Sequence, residues 1–159
     1  MTDSEAPNFW LMKTEPAVYS MDDLERDGRT PWEGVRNYQA RNFMRDKMQP
    51  GDRVLIYHSN AAPPGVAGLA RVCSAPYPDA FAWDPDSAYF DARSTPDKPL
   101  WFLVDICFEE KFSRLIALSE MRADPALDGM ALLKKGQRLS ILPALPAHFA
   151  RVVMLKETA

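Results

Sequence analysis

The residues best equipped for chemistry crowd into one run, Thr30-Pro31-Trp32-Glu33-Gly34-Val35-Arg36-Asn37-Tyr38-Gln39-Ala40-Arg41-Asn42-Phe43-Met44-Arg45. Tryptophan and tyrosine rings stack on the flat face of a nucleobase, a contact worth about 1–3 kcal/mol per base. Asparagine meets a base edge with a donor and an acceptor at once, and the arginine fork matches phosphate oxygens. The same residue types also make a solvated rim over a core, so composition leaves both readings open. From Arg36 to Arg53 the chain carries Arg36, Arg41, Arg45, Lys47 and Arg53 against Asp46 and Asp52, whereas its first thirty residues are strongly acidic. Such asymmetry steers a phosphate backbone to one face. The net charge of −3 excludes a uniformly basic DNA-coating protein.

Other chemistry finds less support. His58 stands beside Ser59, a pair that suits a base and a nucleophile, but neighbours on a strand point to opposite faces, and no third orienting group follows from the sequence. His148 is the other histidine and lies far away in the chain, so no metal site is expected. Cys73 and Cys107 lack the close spacing of zinc or redox motifs and are read as buried reduced thiols, with a disulfide as the alternative.

The elements that must position these residues follow from periodicity. Phe9 to Lys13 reads as a buried strand, and Ser20 with Asp23 opens a helix that Gly28 ends. Ala40, Phe43, Met44 and Met48 fall at helical spacing and face the core. Val54 to Tyr57 suits a strand covered on both sides, and Gly65 to Cys73 reads as the next. Residues 75–99 read as a long, irregular, functional loop. Leu100 to Phe112 is the longest strand signal, with Phe102, Val104, Ile106 and Phe108 as its core face and Trp101, Leu103 and Asp105 turned away. A short helix at Leu127 to Lys134, a strand at Arg138 to Leu142 and a helix from Pro146 to Leu155 complete the chain. Short strands interleaved with helices predict an α+β fold on a small mixed β-barrel.

At 159 residues the chain suits one domain, expected over 8–157, behind a flexible N-terminus at 1–7. A hydrophobic share of 47% with 26% charged residues speaks against general disorder. No apolar run approaches the ~20 residues that cross a bilayer, and Met1 to Pro7 is acidic rather than signal-like. The expectation is a cytoplasmic protein without membrane contact, working as a monomer.

Several motifs recur in the order and spacing of a known family. Trp10-Leu11-Met12-Lys13-Thr14-Glu15-Pro16, the Trp32 to Arg45 stretch, Tyr57-His58-Ser59-Asn60, Tyr77-Pro78-Asp79 and Arg138-Leu139-Ser140 together resemble the EVE domain, over about Asn8 to Leu155. The resemblance implies a PUA-like barrel, akin to the YTH domains that read methylated adenine in RNA. It also implies a non-enzymatic module that takes a modified base of DNA or RNA, notably modified cytosine in DNA, into an aromatic cage, with no cofactor.

In that resemblance Trp32 is similar to the cage tryptophan and Trp101 to its partner; strand parity independently turns Trp101 off the core face. Packing of both rings into a second core is the competing reading. Thr14, Glu15, Asn37 and Ser59 are nearest to the motif positions that reach a base edge. A salt bridge of Glu15 with Lys13 or an arginine is the alternative for that carboxylate. Lys13, Arg36 and Arg41 would hold flanking phosphates, with Arg41 equally readable as surface charge. Trp10 is assigned to the core, and Arg138 and Ser140 to closing the barrel. Two other functions compete: an RNA-cleaving or RNA-processing enzyme of ASCH type using Lys13, Thr14 and His58, and a protein-interaction scaffold working through the 75–99 loop.

Overall fold

The apolar runs Phe9 to Met12 and Val54 to Tyr57 become adjacent parallel strands, with Leu11 opposite Leu55. In the computed structural model, which describes residues 8–157, the strands are β1 (Phe9–Thr14), β2 (Arg29–Pro31), β3 (Arg53–His58), β4 (Gly65–Val72), β5 (Tyr77–Pro78), β6 (Phe102–Leu103), β7 (Asp105–Ala117) and β8 (Ile141–Ala144). Six of them form one mixed sheet in the order β2-β7-β4-β3-β1-β8, which curls into a half-barrel, while β5 and β6 pair separately. The flexible N-terminus expected at 1–7 lies outside the described residues.

Both faces of the sheet are covered, which is why its central strands read as continuous apolar runs rather than alternating ones. On one face Trp10, Met12, Val54 and Ile56 pack with Met21 and Leu24 of α1 (Met21–Asp27) and with Ala40 of α2 (Tyr38–Asn42). On the other, Leu11, Leu55, Tyr57 and Ile116 pack with Met121 of α3 (Leu118–Arg122) and with Phe149 and Val152 of α4 (Pro146–Leu155). Trp10 belongs to the core as expected, its indole N–H donating to Asp52 Oδ2 at 3.0 Å.

The helix starts follow from local chemistry. Ser20 and Asp23 form a reciprocal capping box at α1, and Gly28, at φ 74°, ends it. The Met21 N–H is taken by His58 Nε2 at 3.1 Å. At α2 the cap is Asn37, whose Oδ1 accepts from Ala40 N at 3.0 Å, and a π turn over Phe43–Lys47 carries the helix on to Met48.

Four expectations need correction. The strand read at Leu100 to Phe112 breaks at Val104: residues 101–103 bond to the 77–79 segment, whereas β7 pairs with β4 and β2. The switch of partner resets the parity, so Trp101 and Leu103 are buried while Phe102 is half-exposed. The helix read at Leu127 to Lys134 is two 3-10 turns, Pro125–Leu127 and Ala131–Leu133. The strand read from Arg138 begins only at Ile141. Cys73 and Cys107 are disulfide-bonded, with Cα atoms 5.9 Å apart. Antiparallel pairing of β4 with β7 brings together residues that are 34 apart in sequence, which local spacing cannot reveal.

Candidate functional site

Parallel pairing places the ends of β1 and β3 side by side, and the site grows from that edge. Thr14 lies opposite His58, and the Ser59 N–H donates to the Thr14 carbonyl at 2.9 Å. On the other flank Lys13 N donates to the Ser140 carbonyl at 2.8 Å, fixing the approach to β8. Across the opening, Trp32 leaves β2 and is pinned by its own N–H to the Val104 carbonyl at 3.0 Å. These segments enclose an open cavity of about 700 Å³, within the range of small-ligand sites.

Lys13, Thr14, Glu15, Ser59, Trp32 and Arg36 all line this cavity. Trp32 is 9% exposed and meets Tyr19 edge to face, with ring centroids 6.5 Å apart. Burial, reinforced by the Asp27 carboxylate to which the Tyr19 hydroxyl donates at 2.9 Å, pushes that phenol up to about 12. Tyr19 is therefore a neutral wall. The Thr14 hydroxyl donates to the Tyr19 carbonyl at 2.7 Å. Glu15 is exposed and accepts from Asn60 Nδ2 at 3.3 Å, with no ion pair to Lys13. Burial draws the Lys13 ammonium below its ordinary value, and no carboxylate among the described residues lies within ion-pairing distance of it.

The far wall is held by one buried carboxylate. Asp79 accepts from Gly34 N at 3.0 Å, Arg36 Nη1 at 3.1 Å and Phe81 N at 3.0 Å. Gly34 sits at φ 86°, and a Cβ there would meet the Tyr89 ring at 2.6 Å, so glycine is required for both reasons. Arg36 also donates to the Tyr89 carbonyl at 2.7 Å and the Val35 carbonyl at 3.0 Å. It clamps the 79–91 loop to the Gly34 turn. Four of its five N–H donors are engaged within the protein, which is not the free fork that a phosphate contact requires.

Three expected residues stand outside the cavity lining. Asn37 spends its side-chain oxygen on the α2 cap. Arg41 donates to the Leu100 carbonyl at 2.9 Å and to Asn42 Oδ1, and burial lowers its basicity. Trp101 is 2% exposed, stacks on Tyr38 at 4.9 Å and donates its indole N–H to Asp91 at 2.9 Å. Trp101 instead lines a neighbouring depression of about 400 Å³, so the two indoles expected to sandwich a base line different hollows.

Several lining residues were not expected at the site, and four of them bring aromatic or charged groups. Tyr19 and Tyr89 supply aromatic walls, and Glu33 and Arg138 supply charge. Glu33 Oε2 is buried without a hydrogen-bond partner, and burial, aided by the Asp79 charge, pushes its carboxyl up. Arg138 is exposed at the rim with no ion pair among the described residues. Its recurrence in the Arg138-Leu139-Ser140 motif was the available signal, and the barrel-closing role read for it has no side-chain contact to support it. The tyrosines carried no such signal, since their nearness to Trp32 depends on tertiary packing.

Of the trio Lys13, Thr14 and His58, the first two line the cavity and His58 does not. His58 accepts from Met21 N and is drawn down by burial. Among the described residues no three His, Cys, Asp or Glu side chains group as a metal site, and no helix is long and apolar enough to cross a membrane.

Known proteins share this fold. The EVE domain family model matches residues 8–155. Thymocyte nuclear protein 1 of Homo sapiens is 36% identical over 169 residues, spanning 94% of this chain and 74% of that protein. A crystal structure of the human THYN1 protein in complex with 5-methylcytosine containing DNA superimposes with a TM-score of 0.88 at 36% identity, covering 96% of this chain and 99% of that one. A hypothetical protein from Leishmania major gives a TM-score of 0.92 at 42% identity, covering 96% of each chain. A family match over nearly every described residue, with relatives of this identity and coverage, places the chain in the EVE domain family.

Proposed function

We propose that this protein is a non-enzymatic reader that draws a modified base, modified cytosine in DNA, into the cavity faced by Trp32. The observation that carries the reading is the open hollow of about 700 Å³ with an aromatic wall and an unpaired Lys13 ammonium at its edge. A flat heterocycle gains stacking from Trp32, with Tyr19 and Tyr89 as further walls, while the cation meets the attached phosphate. Stacking of this size offsets the few kcal/mol needed to unstack one base from a duplex. The THYN1 complex with 5-methylcytosine containing DNA supports DNA as the partner and modified cytosine as the base.

Selection among bases requires polar groups at the base edge. Thr14, Glu15 and Ser59 stand on one side of the hollow and Glu33 on the other. Donor-rich exocyclic amines suit the carboxylates. The reading is tested by titrating the protein with duplexes that carry one 5-methylcytosine or plain cytosine at the same position. The expected result is tighter binding of the modified duplex, with the preference abolished by Trp32→Ala. Equal affinity for both duplexes in the parent protein, or a preference that survives Trp32→Ala, overturns it.

A further inference from the structure

Most cations of this protein are neutralised inside it. Arg29 pairs with Asp105 at 2.8 Å, Arg114 with Glu120 at 2.8 Å, Arg151 with Asp124 at 2.8 Å and Lys156 with Glu110 at 2.6 Å. The exceptions are not scattered evenly. Lys13, Arg41, Lys47, Lys98, Arg122, Lys134, Lys135 and Arg138 have no ion pair among the described residues. Half of them, Arg122, Lys134, Lys135 and Arg138, fall within the short segment 122–138.

The fold brings the end of that segment, Arg138, to the mouth of the cavity. Arg138 and Lys13 line the cavity together, tied by the Lys13 N–H to the Ser140 carbonyl at 2.8 Å. The Lys13 ammonium also stands 5.9 Å from the centroid of the Tyr57 ring. Tyr57 packs in one cluster with Met121, the α3 neighbour of Arg122, which brings Arg122 to the same side of the sheet. Arg122 and Lys134 line a second open depression of about 640 Å³ together with Asp124 and Asp128. Arg151 neutralises Asp124 there. From Gly129 to Ser140 the chain has no acidic residue, and a turn closed by Gln137 N to the Lys134 carbonyl at 3.2 Å presents the lysine pair.

We propose that Arg122, Lys134, Lys135 and Arg138 continue from Lys13 as a track for the phosphate backbone of the DNA whose base enters the cavity. The inference rests on the base-reading function and adds to it the face over which the strand runs. Cations left unpaired in the folded chain bind phosphate without first breaking an internal ion pair, and each one that does so releases counterions. Arg36, ion-paired to Asp79 and bonded to the Tyr89 carbonyl, holds the wall instead, and Arg41 stands outside the lining, bonded to the Leu100 carbonyl and Asn42.

The test measures affinity of the full chain for the 5-methylcytosine duplex and its plain counterpart between about 50 and 200 mM salt. The triple substitution Arg122→Ser, Lys134→Ser, Lys135→Ser changes only exposed side chains, and melting curves check that it folds. The expected result is a salt slope shallower by about 2–3, corresponding to roughly 0.9 per lost phosphate contact. Affinity falls about tenfold or more at the low-salt end for both duplexes alike, and the modified-to-plain ratio is unchanged. Lys47→Ser with Lys98→Ser, unpaired cations elsewhere on the surface, leaves the slope as it was. An unchanged slope in the triple variant, or an equal loss in the Lys47/Lys98 control, overturns the track. A parent protein without preference for the modified duplex sinks the base-reading function instead, and the slope on plain DNA still decides the track.

Discussion

Trp32 and Trp101 are both nearly buried indoles beside arginines, yet their surroundings differ in what is left unsatisfied. Around Trp101 the polar groups have partners inside the protein: its N–H bonds Asp91, its ring stacks on Tyr38, and the nearby guanidinia of Arg36 and Arg41 bond backbone carbonyls. Around Trp32 the ring abuts an open hollow, and Lys13 and Arg138 lack ionic partners. The difference teaches that residue type nominates a site but spare valence makes one. Buried polar groups satisfied within the chain rigidify it, while groups left free are those a ligand can satisfy.

The comparison breaks most visibly at Asp79, which joins the two regions by holding Gly34 and Arg36 on one side while its own N–H bonds the Trp101 carbonyl on the other. Asp79→Ala leaves Arg36 without its carboxylate and is expected to cost about 3–5 kcal/mol in urea unfolding. Next in size, Trp32→Ala should weaken binding of the 5-methylcytosine duplex by about 1–3 kcal/mol, whereas Trp101→Phe should leave the affinity of the folded protein unchanged. Calorimetric titration of both variants decides between separate hollows and a shared cage, since an equal loss would restore the sandwich.

Proton linkage sharpens the contrast further. The Glu33 carboxyl is raised in the folded state by burial and by Asp79, so its contribution is fully present below its ordinary value of 4.5 and is lost as pH rises through the raised value. Glu33→Gln should remove that loss and give a higher melting temperature than the parent at neutral pH. His58 behaves oppositely. Burial lowers it from 6.5, so its stabilising acceptor role holds above 6.5 and weakens as pH falls below it. Melting temperatures followed from neutral to acid pH should decline less steeply in His58→Asn. The smallest effect is expected at Arg41: held by the Leu100 carbonyl and Asn42 outside the cavity lining, Arg41→Gln should leave the salt slope of DNA binding unchanged, and a slope shallower by about 0.9 would return it to the phosphate contacts.

Much of this architecture was legible from local pattern. The capping box at Ser20, the glycine stop at Gly28, the apolar runs of β1 and β3 and the Pro146 start of α4 depend on neighbours in the chain, and the structure follows them closely. Trp32, Lys13, Thr14, Glu15 and Ser59 line one cavity, because they stand at or just past the ends of strands that the sheet brings to one edge.

What sequence could not decide was everything that depends on a choice of partner. The break at Val104 arises because one apolar stretch divides its hydrogen bonds between two segments, and that division turned Trp101 from a cage wall into a sealed side chain. The pairing of Cys73 with Cys107 and the nearness of Tyr89 to Gly34 arise in the same way, from contacts across long loops. Residue types and their spacing determined which side chains could stack, cap or carry charge. Only the tertiary structure decided which of those capacities were used up within the protein and which remained for a ligand, because hydrogen bonds and ion pairs are finite and are shared out only when distant segments meet.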